Sequence, residues 1–205
     1  MLEGDFCEPT LIQKRCNPIT RQGYSMKGIV FTTFNDMIEE KIGIEVWDRI
    51  LDTVNPESGG VYTAVEDFPD EELLAMVAEL SEITGTPVMD LVRAFGLHLF
   101  HALNMKHSIF VESEPDFISF LKSIEDVIHK EVIKLYPNPN LPSRKWEQPD
   151  DNSITLFYRS PRQLCSLAEG LIKGAAEQYE VEYTMKHDVC THNGDDHCRF
   201  EISVQ

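Results

Sequence analysis

The sequence predicts an α+β fold in which a helical N-terminal subdomain is followed by a small antiparallel sheet with a helix packed against it. Up to Pro137, apolar residues recur mainly at three- and four-residue spacing, which is typical of one face of a helix. From Ser153 onward, short segments alternate apolar and polar residues as strands do, with one helical segment among them. Runs of helices followed by runs of strands indicate an α+β domain.

Four helices are predicted in the first half of the chain. Asn, Pro and Gly at positions 55–60 provide turn chemistry after the second helix. Acidic residues at 70–72 suit the positive end of the third helix dipole, and Thr86 is predicted to cap the fourth, with Pro87 at its first position. The predicted ranges are 26–43, 44–54, 70–83 and 87–103.

A further helix is predicted over residues 114–137. Pro115 lies in its first turn, where a proline costs no hydrogen bond, and Pro137 follows its last periodic residue. At about 100° per residue, His129 lies on the flank of the apolar face, so it can face a separate cavity. An ordinary helix histidine, partly exposed or hydrogen-bonded, is the alternative interpretation.

The last third of the chain is predicted to hold the sheet. Residues 138–152 are rich in asparagine and proline, which indicates a loop. Asn193 and Gly194 are turn residues that join the last two strands as a hairpin. The predicted elements are a strand over 153–160, a helix from Pro161 to about Tyr179, and strands over 181–186 and 197–204.

Length and composition indicate a single domain without nucleic-acid or membrane partners. The 205 residues include 42% hydrophobic residues, enough for one core, and the formal charge of −17 opposes binding to nucleic-acid phosphates or anionic membranes. The sequence contains neither a membrane span nor a signal-peptide core, so a cytoplasmic location is expected. Residues 1–25 are predicted to form a leader outside the fold, with one domain over 26–205.

Tyr158, Ser160 and Arg162 alternate along the predicted strand, and alternate side chains of a strand share a face. A phenol, a hydroxyl and a guanidinium in this arrangement suit a carboxylate, because the guanidinium binds it bidentately and the hydroxyls donate to its remaining lone pairs. A solvated strand end is the alternative interpretation.

This Y-x-S-x-R motif, downstream of the helical I-H-x-x-V at 128–132, resembles the haem nitric oxide/oxygen binding (H-NOX) family. The resemblance covers nearly all of the chain after the leader, and it implies the H-NOX fold and haem b as cofactor. It also implies that His129 is the proximal iron ligand and that Tyr158, Ser160 and Arg162 hold the haem propionates. Pro142 matches the family proline that presses on the macrocycle.

The resemblance also bears on which gas is bound. Oxygen-binding members carry a tyrosine on the helix after the motif, and the matching position here is Leu167. Bound oxygen gains from a hydrogen-bond donor, whereas nitric oxide binds iron(II) strongly without one, so an apolar pocket favours nitric oxide. Ile29, Leu167 and the helix bearing His101 are the candidates for the gas-binding side.

The function implied is a haem-based sensor, selective for nitric oxide and without catalysis of its own. In this family nitric oxide weakens the bond from iron to the proximal ligand, here His129, and its release signals to a separate histidine kinase or diguanylate cyclase. An oxygen-binding haem sensor is one alternative. A haem-free, zinc-stabilised interaction module is another.

A second candidate site is formed by one histidine and three cysteines. Pairing of the last hairpin brings His187, Cys190 and Cys198 together, and Cys165 can add a fourth ligand from the preceding helix. One His and three Cys make a closed tetrahedral zinc set, and some bacterial H-NOX members are similar in carrying such a site. Free buried thiols, or a disulfide between Cys190 and Cys198, are the alternatives, and His192 and His197 are alternative ligands.

Overall fold

The computed structural model describes residues 24–124 and 143–205 of the chain. Its helical part confirms the four predicted helices, and the second has the bounds predicted for it. A pair of three-residue antiparallel strands precedes the first and third helices. The elements are β1 (Ser25–Lys27), α1 (Gly28–Lys41), α2 (Ile44–Val54), β2 (Asp67–Pro69), α3 (Asp70–Thr84) and α4 (Val88–Lys106).

The fold begins earlier than the sequence predicted. Ser25, placed in the leader by the sequence analysis, pairs with Pro69 in the small sheet, and the carbonyl of Tyr24 accepts a hydrogen bond from the Asp70 N–H at 3.1 Å. A strand of three residues is too short to produce a periodic signal. The rest of the predicted leader, residues 1–23, lies outside the described residues.

Thr86 does not cap α4 as predicted. The helix begins at Val88 after Pro87 and has no side-chain cap. Thr86 instead belongs to the turn that ends α3, where its N–H donates to the Thr84 hydroxyl and its carbonyl accepts from the Ser81 hydroxyl. This turn needs the left-handed conformation of Gly85, at φ 68°.

The second half contains two short helices, a four-stranded sheet and a long helix. The strands lie in the order β3-β4-β6-β5, and all neighbouring pairs are antiparallel, which confirms the predicted α+β architecture. The elements are α5 (Ile109–Glu112), α6 (Phe117–Ser123), β3 (Ser143–Asp150), β4 (Ser153–Arg159), α7 (Cys165–Gln178), β5 (Tyr183–Val189) and β6 (Cys198–Val204).

The predicted loop over 138–152 is wrong for its second half, because residues 143–150 form β3. This strand lies at the edge of the sheet, where polar residues and a proline are tolerated. Its register with β4 shifts between Glu147 and Asp150, the segment that contains Pro149. The composition therefore resembles that of a loop although the backbone pairs as a strand.

Helix α7 also begins later than predicted. Residues between Ser160 and Leu164 form a turn in which the Gln163 N–H donates to the Ser160 carbonyl at 3.0 Å. Gln163 has a φ of 54°, so the backbone cannot be helical there. The proline at position 161 thus begins a turn rather than the helix.

The helix predicted to carry His129 is described only at its start, as α6. Asp116 is its N-cap, and its carboxylate accepts a hydrogen bond from the Ser119 N–H at 2.8 Å. Pro115 therefore precedes the helix rather than lying in its first turn. His129 and Pro142 lie outside the described residues.

Helices α4 and α7 cross very closely and connect the two halves of the fold. A Cβ atom built on Gly170 would lie 2.1 Å from the Arg93 carbonyl oxygen, and one built on Gly96 would lie 2.3 Å from that of Leu167. Only glycines permit this approach. In the part of the chain that the structure describes, none of the helices is both long and apolar enough to cross a membrane.

Two apolar cores lie on either side of this crossing. The first is enclosed by α1, α2, α3 and α4 and contains Phe31, Phe34 and Met76, all fully buried. The second lies between α6, α7 and the sheet and contains Phe117 and Phe200. Helix α7 packs on both cores, so it lies at the junction of the helical and sheet subdomains.

Candidate functional site

Tyr158 lies near the end of β4, with a buried side chain. Its ring packs against Phe200 on β6, with centroids 6.0 Å apart. In the strand register Tyr158 is directly opposite Cys198. Backbone pairing on this central strand thus fixes the position of the phenol.

Ser160 and Arg162 do not continue the strand face on which they were predicted. Strand β4 ends at Arg159, and the Ser160 hydroxyl accepts a hydrogen bond from the Arg162 N–H at 3.3 Å. The three motif residues therefore occupy a strand end and the turn that follows it.

Arg162 binds a carboxylate of this chain that the sequence analysis did not foresee. Its Nε–H donates to Asp70 Oδ2 at 2.5 Å, and Nη2 donates to the Ser25 carbonyl at 2.5 Å. The side chains of Arg162 and Asp70 are only 11% and 5% exposed. Burial raises the pKa of Asp70 although the bond to Arg162 opposes this rise, so desolvation offsets much of the ion-pair attraction.

The donor set fits a carboxylate-bearing cofactor with an apolar body. A phenol at the end of β4 is followed by a hydroxyl and a guanidinium in the next turn. The guanidinium already contacts a carboxylate, that of Asp70. Leu167 of α7 is half-buried and packs on the first apolar core, as does Val30 of α1. Ile29, next to Val30 in the first turn of α1, is also half-buried.

The four predicted residues of the second site are brought together in the structure. One ligand atom from each of Cys165, His187, Cys190 and Cys198 lies within 4.8 Å of the others. The Cys190 sulfur is 3.7 Å from that of Cys165 and 3.8 Å from that of Cys198. These separations match the edge of about 3.8 Å that a tetrahedron with zinc–sulfur bonds of about 2.3 Å requires.

The loop between β5 and β6 positions this cluster. The register of the two strands shifts between Lys186 and Val189, and Gly194 takes a left-handed conformation at φ 96°. The Cys190 N–H donates to Asp195 Oδ2 at 2.8 Å, which fixes the loop around the thiols. Cys190 and Cys198 are free thiols in the structure rather than a disulfide.

The thiols differ in acidity. Burial, together with the nearby charge of Cys198, raises the pKa of the Cys165 thiol. Burial opposes ionisation of Cys198 as well, but nearby donors, with the hydroxyl and N–H of Thr191 contributing most, outweigh it and lower the pKa of this thiol. Cys198 therefore forms a thiolate more readily than Cys165 does, and a thiolate is the form that binds metal.

His187 presents one nitrogen to the cluster. Its Nδ1 lies 2.6 Å from Glu169 Oε1, whereas its buried Nε2 has no hydrogen-bond partner among the described residues. A buried nitrogen without a partner is costly unless a ligand satisfies it. The alternative ligands are engaged elsewhere: His192 Nε2 contacts the Gln163 carbonyl at 2.9 Å and His197 Nδ1 contacts Asp196.

Comparison with known proteins identifies the family. Residues 27–187 match the model of the Haem-NO-binding family. The chain belongs to the H-NOX family. It is 39% identical to an H-NOX protein from S. oneidensis solved in the Fe(II)NO ligation state, with a TM-score of 0.83 over 88% of this chain and 99% of that one. It is 32% identical to an unliganded Fe(II) H-NOX protein from K. algicida, with a TM-score of 0.82 over 88% and 97% of the two chains.

More distant relatives contain a similar domain within longer chains. A soluble guanylate cyclase, gcy-35 of Caenorhabditis elegans, is 25% identical over 167 residues, which are 78% of this chain. Soluble guanylate cyclase 89Db of Drosophila melanogaster is 25% identical over 174 residues, or 80% of this chain. The H-NOX chain spans about a quarter of the length of these relatives, at 24% and 26%.

Family membership confirms the coarse expectations from the sequence. The fold is that of H-NOX domains, and haem-based gas sensing is the function of such domains, which are sensors rather than catalysts. Two residues that contact the candidate sites of this H-NOX chain were missed, Asp70 and Glu169. Asp70 was interpreted only as a first-turn acid of α3, and Glu169 resembles any helix glutamate in the sequence.

Proposed function

We propose that this H-NOX chain is a nitric oxide-selective haem sensor that signals by release of His129 to a separate histidine kinase or diguanylate cyclase. The observation that carries the proposal is the buried donor set at the end of β4, in which Tyr158 and Arg162 are fixed by strand pairing and by Asp70. Such donors suit the propionates of haem b, and family membership makes this cofactor the expected one.

Each residue has a defined task in this proposal. Tyr158, Ser160 and Arg162 donate hydrogen bonds to the propionates, and Pro142 contacts the macrocycle. His129 supplies a neutral imidazole as the proximal ligand. Haem, if bound by these residues, would supply an iron(II) that can bind a diatomic gas. Release of His129 then frees its helix, a local change of the kind that biases a two-state element.

Selectivity for nitric oxide is proposed from the side chain at position 167. Leu167 has no hydrogen-bond donor, and Leu164, Leu171 and Val30, which pack on the same first core, have none either. The Tyr62 hydroxyl also lies at this core, but it donates to Glu72 at 2.9 Å. Oxygen would gain no hydrogen bond from these apolar side chains, whereas nitric oxide needs none. Ile29 adds a further apolar side chain on α1.

Visible spectroscopy of the purified, reduced protein tests this proposal directly. We expect a Soret band that shifts with nitric oxide, while air leaves the reduced spectrum unchanged until the iron is oxidised. A stable oxygen-bound spectrum would instead support the oxygen sensor. A protein that stays colourless when supplied with haem would contradict haem binding and leave the zinc-stabilised interaction module.

The second prediction concerns Arg162. We expect Arg162→Gln to weaken haem affinity by about tenfold or more, because a hydrogen bond to a charged group contributes about 1.5–3 kcal/mol. Haem transfer to apomyoglobin measures the change. The matched control is Arg159→Gln, three residues away, whose side chain is 60% exposed and pairs with Asp196.

Asp70→Asn separates the ion pair between Arg162 and Asp70 from the proposed hydrogen bond between Arg162 and a haem propionate. This variant breaks the ion pair with Asp70 but keeps the guanidinium, so we expect it to reduce haem affinity less than Arg162→Gln does. Equal losses in both variants would mean that the arginine acts by holding the fold together and not by binding propionates.

We further propose that Cys165, His187, Cys190 and Cys198 bind a structural zinc ion. Support comes from the sulfur separations of 3.7 and 3.8 Å, which a tetrahedral zinc requires, and from the buried Nε2 of His187, which has no partner in the part of the chain that the structure describes. Four protein ligands leave no open position, so this metal would stabilise the fold and take no part in gas binding.

A further inference from the structure

Glu169 connects the cysteine and histidine cluster to α4, a helix that contributes no residue to the cluster. It lies on α7, one turn after Cys165, and is 9% exposed. One carboxylate oxygen, Oε1, lies 2.6 Å from His187 Nδ1. The other, Oε2, accepts a hydrogen bond from the Arg93 Nε–H of α4 at 2.6 Å.

Arg93 makes a second ion pair and a close backbone contact, although its side chain is 42% exposed. Its Nη1 donates to Asp90 Oδ1 at 2.6 Å, and its backbone lies at the closest point of the α4–α7 crossing, against Gly170. Gly170, next to Glu169, thus contacts Arg93, which binds the Glu169 carboxylate. Because both of its oxygens are engaged, the Glu169 carboxylate is oriented toward His187 and Arg93.

The chemistry of metal-bound histidines explains how the contact between Glu169 and His187 can support metal binding. Such a histidine binds through a nitrogen without a proton and donates its other N–H to a carboxylate, carbonyl or water, which fixes the ring and its tautomer. A carboxylate beside Nδ1 favours the tautomer that carries its proton on Nδ1, and this tautomer leaves the lone pair of Nε2 for a metal. His187 Nε2, which is buried and has no hydrogen-bond partner within residues 24–124 and 143–205, is therefore the atom available to bind the metal.

We propose that Glu169 is the positioning residue for His187, and that Arg93 acts through Glu169 to set the affinity of the cluster for zinc. This inference rests on the zinc site of the proposed function. According to this proposal, Arg93 of α4 affects the affinity for a metal ion whose ligands lie on α7 and the β5–β6 hairpin. The opposing interpretation is that Glu169 serves only as an ion-pair partner between two helices.

Zinc affinities of variants of the full chain distinguish these interpretations. Competition with a chromophoric chelator measures the zinc affinity, and the absorption of the cobalt-substituted protein reports the ligand geometry. We expect Glu169→Gln to weaken zinc binding by about 10–100-fold, the usual effect of losing an outer-shell partner. Arg93→Gln should weaken it by a smaller factor, and the double variant should bind no more weakly than Glu169→Gln alone.

Glu177→Gln is the matched control. Glu177 also joins α7 to α4, through His101 Nε2 at 3.1 Å, but it lies two turns beyond Glu169 and is not part of the cluster. We expect this variant to keep the zinc affinity and cobalt spectrum of the wild type. Urea unfolding of each variant shows whether the fold is intact, and Glu169→Asp provides a second, carboxylate-retaining variant if the amide does not fold.

The possible results separate the positioning role from the zinc site. Wild-type protein that binds zinc tightly while Glu169→Gln binds it equally well would contradict the positioning role alone. Equal weakening by Glu177→Gln would also contradict it, because the effect would then come from helix packing. Wild-type protein that takes up neither zinc nor cobalt would contradict the metal site, and the positioning role with it.

Discussion

Replacement of His129 by glycine is expected to weaken haem affinity by about tenfold or more and so to lower the haem content of the purified protein, because each 1.4 kcal/mol of lost binding free energy is about a factor of ten in affinity. The bond from imidazole to iron is the only coordination that the chain is proposed to provide. The propionate donors Tyr158, Ser160 and Arg162 remain in the variant, so the cofactor would be held by them and by apolar contacts without a bond to its iron. The ratio of Soret to protein absorbance measures the result.

Imidazole in solution provides the decisive second arm of this experiment. A glycine at position 129 leaves a space of the size of the lost ring, and millimolar imidazole should restore the haem content if ligation was the missing interaction. The control is His101→Gly, which removes a half-buried histidine from α4 and should leave the haem content unchanged. An unaltered Soret band in the His129 variant would contradict the assignment of the proximal ligand.

The sequence predicted the helices better than the edges of the sheet, for a physical reason. In a helix such as Ile44–Val54, the spacing of apolar residues within the helix itself indicates the structure, so its bounds were predicted correctly. Strand β3 lies at the sheet edge and is stabilised by pairing with β4, a partner that its composition does not reveal. Strand β1 is likewise defined by pairing with β2, some forty residues away.

The same distinction explains which site residues could be predicted. Cys190 and Cys198 flank a hairpin turn, and strand pairing brings such residues together whatever the rest of the fold does. Asp70 and Glu169 meet their partners Arg162 and Arg93 only through packing of distant elements. A local pattern therefore identified the residues offered as ligands, but not the acids that contact them.

The two proposed sites share adjacent strands. Tyr158 of β4 is paired with Cys198 of β6, so a donor to haem and a ligand to zinc occupy opposite positions in one register. Because backbone hydrogen bonds hold this register, we expect loss of either cofactor to leave the other site formed. Experiments on zinc can therefore use the haem spectrum as an internal control for correct folding.

Removal of zinc is the last prediction. Cys198→Ala should abolish stoichiometric zinc and lower the melting temperature by roughly 10 °C, because a ligand present at about 1,000 times its Kd stabilises by about 4 kcal/mol, and each 1 kcal/mol shifts a domain of this size by about 2–4 °C. Cys198 is fully buried and is hydrogen-bonded to Thr191, so its sulfur has a fixed position in the cluster. Scanning calorimetry and metal analysis measure the two effects.

A chelator separates the effect of zinc from that of the lost side chain. Wild-type protein incubated with a strong chelator should fall to nearly the melting temperature of Cys198→Ala, while the variant itself should not respond, because it has no zinc to lose. His192→Ala is the matched control, since His192 lies in the same loop but binds the Gln163 carbonyl instead of the cluster. A wild-type melting temperature that is the same with and without chelator would mean that the four residues form a buried thiol cluster and not a structural metal site.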